Sequence, residues 1–346
     1  MLKVNSIASD GVFKKARMNL DIIILPIAFV FVVVLMSIST SFKFLSFSNI
    51  SSMLLQLPEL GLFSLAMMQA MTIGGIDLSI ISTANLSGVM MAWLLTNALP
   101  ADASGGALFM YIGLIIIAGL LISLILGFVN GLLIAYVEVS PTLATLSTMI
   151  LYEGLTLAIT RGKVISGLPD MFTAIGNGSL LGIPVPFIIF VICAFVLRLM
   201  VKRTPMGKYQ VLIGSNKKAV EFSGIDVRKI TVKTHMICSF LAGMASVIMI
   251  SRLNSANARF GTSYQLLAIL ICVLGGTDPQ GGYVRVGGVI AALFTMQALN
   301  SGINILGISP FISTSLWGIL LVSIIAYRRY IAQKKDKFLS DMAKNE

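Results

Sequence analysis

Apolar runs of roughly 17–25 residues, the length that spans a hydrocarbon core, recur along this chain and are separated by short polar or glycine-rich breaks. They predict helices over 22–38, 52–73, 78–98, 111–137, 142–160, 186–201, 232–250, 263–275, 286–305 and 311–327. The expectation is an all-α polytopic membrane protein with about ten crossings, some of them discontinuous. The run 263–275 is short and ends at Gly275, which reads as a half-helix in preference to a misplaced boundary. The first run, Ile22 to Ile38, exceeds the apolar stretch of a signal peptide and reads as a retained helix. The expected organisation is a cytoplasmic N-terminal segment (1–21), a transmembrane domain (22–327) containing a long inner loop (202–231), and a basic cytoplasmic tail (328–346).

Composition agrees, with 57% hydrophobic and 11% charged residues in 346, against about 25% charged in soluble domains. The net charge of +11 sits in the first stretch, around 198–233 and after Tyr327. These positions flank membrane spans, so the charge marks both termini and the 202–231 loop as cytoplasmic and excludes nucleic-acid binding. Arg161, Lys163, Arg252 and Arg259 run against this pattern, because the same count faces them outward. Cys193, Cys238 and Cys272 are far apart, with no C-x-x-C spacing. Neither a metal site, a disulfide framework nor a cofactor is indicated, and His235 reads as an ordinary side chain near a helix start.

One interruption stands out. Gly74-Gly75-Ile76-Asp77-Leu78-Ser79 places two glycines and a carboxylate between apolar runs, where irregular backbone survives only if shielded by protein or lining a cavity. Gln69, Ser79 and Asn85 add hydrogen-bonding groups suited to a neutral hydroxylated solute. Asp77 has two readings, a cap for a helix starting at Leu78 or a solute contact. Leu274-Gly275-Gly276-Thr277-Asp278 echoes the break, and Ile308-Ser309-Pro310 echoes Val139-Ser140-Pro141, although the helix count makes the first pair parallel and the second inverted. Pro141 and Pro310 suit helix starts. Asn130, Asn300 and Asn304 serve either as packing contacts between helices or as pathway lining.

The polar stretch from Lys202 to Lys233 is more than a linker. Asn216 is placed to cap a helix beginning at Lys217, Gly224 to end it, and Leu212, Ala219, Val220 and Phe222 form an apolar set. The result is a knob on the inner surface, with a plain basic connection as the alternative. Gly207-Lys208 lacks the upstream glycine and following hydroxyl of a Walker A loop, so any ATP hydrolysis belongs to another subunit.

Several ordered motifs resemble the permease subunits of ribose-type ATP-binding-cassette importers, a superfamily shared with branched-chain amino-acid permeases. They are Gly74 to Ser79; Asn130-Gly131-Leu132-Leu133-Ile134-Ala135 with Pro141 to Leu146; Gly176-Asn177-Gly178; Thr204 to Gly207; Gly214-Ser215-Asn216; Ser223-Gly224-Ile225; Gly275-Gly276-Thr277; and Asn304 to Pro310. The resemblance runs from about Leu54 to Tyr327. It implies a permease, not an enzyme, in the cell membrane, working as a homo- or heterodimer with a cytoplasmic ATPase and an extracytoplasmic solute-binding protein. The break and the amides within the apolar runs give a candidate substrate pathway at Gln69, Gly74, Gly75, Asp77, Ser79, Asn85, Asn130, Asn300 and Asn304. ATPase docking is implied at Thr204, Gly207, Gly214, Asn216, Ala219, Glu221 and Gly224.

The chain departs from the family where Tyr-Glu-Leu-Asp is common and it reads Tyr264-Gln265-Leu266-Leu267, which points to altered coupling, a partner that supplies the acids, or a degenerate subunit. Lys217-Lys218 also replace residues that are often acidic, and Ile80-Ile81 replace Val-Gly. An ion-coupled secondary transporter is the main alternative, but Glu59, Asp77, Glu138 and Glu153 are few acids for an ion relay. A channel is a third possibility.

Overall fold

The computed structural model describes residues 25–100, 105–309, 311–324 and 326. The expected segments 1–21 and 328–346, and Pro310, lie outside the described residues. The helices are α1 (Leu25–Ser39), α2 (Phe47–Thr72), α3 (Ile80–Asn97), α4 (Gly105–Ala135), α5 (Pro141–Thr160) and α6 (Asp170–Asn177). They continue with α7 (Val185–Arg203), α8 (Pro205–Phe222), α9 (Val227–Leu253), α10 (Tyr264–Leu274), α11 (Val286–Ile305) and α12 (Phe311–Ile324). Among the described residues, strand is confined to two short antiparallel pairs, Ile165–Ser166 with Ser255–Ala256 and Ser179–Leu180 with Ile183–Pro184.

Among the described residues, 6 helices are long and apolar enough to cross a membrane: α2, α4, α5, α7, α9 and α11. Each of the remaining apolar runs is also helical, but α1, α10 and α12 are shorter, and α3 carries Ser82, Thr83, Asn85 and Ser87 on buried positions. The sequence therefore located the helices, while the crossing count that the fold itself supports is coarser than ten.

The two most apolar helices face outward, although α5, at a mean hydropathy of 1.4, is largely exposed as well. α4, with mean hydropathy 2.9, exposes apolar side chains along most of its length, as α7 does at 2.4. α2 and α9, at 1.3 and 1.8, lie mostly buried at the centre. This is the order a bilayer imposes, since lipid offers polar groups no partner and protein does. α4 approaches α9 closely through small residues. A β-carbon at Gly131 would lie 2.7 Å from Val232 Cα, and one at Gly127 would lie 2.6 Å from the His235 carbonyl oxygen. Glycine one turn apart lets the two backbones meet there.

Two irregular segments meet at one end of the bundle. α2 is followed, after Ile73, by Gly74 with φ of +84°, a left-handed conformation that favours glycine. Gly282 N–H, in the loop after α10, donates to the Thr72 carbonyl oxygen at 3.1 Å. The contact to the end of α2 comes from the 280–282 turn, while the echoed Gly275 packs on Gly288 and Val289 at the start of α11. α8 lies across the same junction. Its N-terminus is capped by Thr204, whose hydroxyl accepts from Gly207 N–H at 3.3 Å. It kinks at Asn216 (φ −162°, ψ 92°), where Asn216 Oδ1 accepts from Ala219 N–H at 3.1 Å. The cap expected at Asn216 is present, and Gly224 (φ +77°) follows the helix end. Asp226 then caps α9 by accepting from Lys229 N–H at 3.0 Å. That bond and the Lys229 ammonium hold the exposed Asp226 carboxyl below the usual carboxylate range.

Candidate functional site: a buried polar break

The break between α2 and α3 is held from four sides. Asp77 is fully buried. Its Oδ1 accepts from Ser79 N–H at 2.9 Å and from the Ser79 hydroxyl at 2.6 Å, while Oδ2 lies 3.2 Å from His235 Nδ1 on α9. α3 begins at Ile80, two residues later than the sequence predicts. Asp77 therefore braces the turn before the helix through Ser79; its bonds stop short of the helical N–H groups. Asn130 on α4 donates from Nδ2 to the Ser79 hydroxyl at 2.7 Å. Thr145 on α5 accepts from Leu78 N–H at 3.1 Å and reaches the Ile76 carbonyl oxygen at 3.1 Å. Gln265 on α10 approaches the Asp77 carbonyl oxygen at 3.4 Å.

The nominated residues separate into groups. Asp77, Ser79 and Asn130 form one network, with Gly74 and Gly75 in its backbone; Gly75 packs on Pro141 at the start of α5. Gln69 is buried nearby and bonded to Gln210 of α8 at 3.0 Å. Asn85 reaches outward along α3, donating to the carbonyl oxygens of Ala258 and Phe260 at 2.9 and 3.0 Å. Asn300 and Asn304 are elsewhere. Asn304 lines a small cleft with Asn49, Ser52, Gln56 and Ser301 beside the start of α2, and α2 is about 39 Å long at 1.5 Å per residue.

His235 corrects the sequence reading. It is fully buried, about 12 Å along α9 from Val227, and its Nε2 has no partner among the described residues. Asp77, His235 and Cys238 bring three metal-type donor atoms within 4.8 Å of one another. Both Asp77 oxygens already face Ser79 and His235, so the trio is a hydrogen-bonded pair beside a thiol. No local pattern reveals it, because 158 positions separate Asp77 from His235.

The docking set also divides. Gly207 packs against the backbone of Met200 and Val201, and Gly214 against Thr72, Gly281 and Gly282. Ala219 and Glu221 are exposed, as is Phe222, at 92%. The four outward-counted basic residues contain two ion pairs. Arg252 Nε and Nη2 bind buried Glu59 at 2.6 and 3.1 Å, and Arg259 Nε binds Glu153 at 2.8 Å.

The fold and its buried polar break define a polytopic helical membrane protein. The chain belongs to the family described as the branched-chain amino acid transport system permease component, which matches residues 49–325. It is similar to the ribose import permease protein RbsC of Bacillus subtilis (strain 168), 35% identical over 323 residues that cover 92% of this chain and 94% of the relative. The L-arabinose transport system permease protein AraH of Escherichia coli (strain K12) is 27% identical, covering 85% and 86%. The autoinducer 2 import system permease protein LsrD of Yersinia enterocolitica is 30% identical, covering 78% and 80%. No solved structure matches significantly. The chain is thus a multi-pass membrane permease component and not itself an enzyme.

Proposed function

We propose that this chain is the translocation subunit of an ATP-driven importer for a monosaccharide or a similarly small hydroxylated solute. The names of its relatives, which include ribose and L-arabinose permeases, support that solute class. In this reading the chain crosses the membrane ten times, with both termini and α8 cytoplasmic. It pairs with a second permease subunit, takes solute from an extracytoplasmic binding protein and is driven by a separate ATPase docked on α8.

The observation that carries the reading is the two-sidedness of α8. Its inner face seats on the break, while its outer face presents Leu212, Ala219, Glu221 and a nearly free Phe222. An exposed aromatic beside charged side chains is the composition of an interface anchor. The deciding experiment is uptake of labelled ribose or L-arabinose into proteoliposomes holding the permease, its ATPase and binding protein. Uptake that requires ATP is expected, and uptake driven by an ion gradient without the ATPase would favour a secondary transporter.

Phe222→Asp is expected to lower ATPase co-purification at least tenfold while the permease stays folded. Unchanged co-purification would assign Phe222 to the lipid surface. The acids absent at Gln265 and Leu267 leave two assemblies, a homodimer or a heterodimer whose second permease supplies them. Leu267 is buried in the apolar core and Gln265 stands beside the break.

A further inference from the structure

We infer that Gln210 is the residue that couples α8 to the membrane break, a positioning role that rests on the importer reading above. Gly207, Gln210 and Gly214 are spaced three and four apart and share one face of α8. The two glycines bring the helix backbone directly onto α7 on one side and onto the end of α2 and the 281–282 turn on the other. Between them Gln210 is fully buried. Its Nε2 donates to Gln69 Oε1 at 3.0 Å and to the Thr234 hydroxyl at 2.9 Å. A single amide therefore ties α8 to both central helices.

Both tethers lead to the break. Gln69 sits in the last turn of α2, just before Gly74, and Thr234 adjoins His235, which faces Asp77 at 3.2 Å. The junction is also unsaturated. Gln210 Oε1, Gln69 Nε2 and His235 Nε2 are buried without partners among the described residues. The unused amide N–H of Gln69 and carbonyl of Gln210 are the groups that a second amide–amide bond requires. A buried junction with spare donors and acceptors has an alternative pairing available when one element shifts, whereas an apolar contact offers none. Movement of α8 under the ATPase is thereby transmitted to the end of α2 and to the Asp77 turn.

The test measures solute delivered per ATP hydrolysed in proteoliposomes containing the assembled importer. Gln210→Met keeps the volume and removes the polar tether. Assembly and ATP hydrolysis are expected to persist, while solute per ATP falls at least tenfold. The double variant Gln69→Met with Gln210→Met separates coupling from simple satisfaction of buried groups, because it leaves neither amide unpaired. It is expected to assemble and remain uncoupled, and it carries the measurement should the single variant fail to assemble. Recovery of the native ratio in the double variant would overturn the proposal. Solute uptake by the unsubstituted protein without ATP would overturn the importer reading instead, and would be seen before any variant is made.

Discussion

Arg252→Ala is expected to cost about 3–5 kcal/mol of stability, the loss typical of removing one partner from a buried ion pair, and to leave little folded protein in the membrane. Glu59 on α2 is 1% exposed and is held by two bonds from the Arg252 guanidinium at 2.6 and 3.1 Å. Without Arg252 the carboxylate keeps its desolvation penalty and loses its counter-charge. The cost does not mean that the pair is worth that much over an apolar contact. Glu59→Gln with Arg252→Met removes both charges and is expected to recover most of the loss. Thermal unfolding in detergent checks both statements. A single variant that melts with the native protein, or a double variant as unstable as the single, would show that Glu59 is not dependent on Arg252.

The same pair shows where the sequence was legible. Apolar runs located the helices, because a span that faces lipid must be apolar over its whole length, and α4 and α7 carry that signal strongly. The Asn216 cap was legible for a related reason, since it is a local bond between a side chain and a nearby N–H. The polar break was visible as a departure from the apolar background, and Asp77, Ser79 and Asn130 do meet there. The partners across the fold were not visible. Arg252 reads as a charge against the positive-inside pattern, and its partner Glu59 lies 193 positions away. His235, Thr145 and Gln210 are each a common residue within a helix, and only packing gives them a role. Asn300 and Asn304 went the other way. Their chemistry matched the break, but α11 carries Asn304 to the cleft by the start of α2.

Asp77 separates structure from transport through two substitutions. Asp77→Ala removes the acceptor for the Ser79 N–H and hydroxyl and leaves the His235 ring without its one partner among the described residues, all in a fully buried site. Orphaning several buried polar groups, each worth about 1–3 kcal/mol, is expected to destabilise the permease severely and to abolish uptake. Asp77→Asn keeps an oxygen for Ser79. Its amide nitrogen can face His235 if Nδ1 is the acceptor, which moves the ring proton to the buried Nε2, where it has no partner among the described residues, at a cost of about 1–3 kcal/mol. Assembly is therefore expected to survive in Asp77→Asn, with a melting temperature modestly below native, whereas Asp77→Ala fails. Uptake then distinguishes the roles. A bracing carboxylate predicts that Asp77→Asn transports within about threefold of native, because the turn at Ser79 is intact. A fall of a hundredfold in uptake by a well-assembled Asp77→Asn permease would mean that the charge itself meets the solute or the moving parts, and Asp77 would have to become exposed during the cycle.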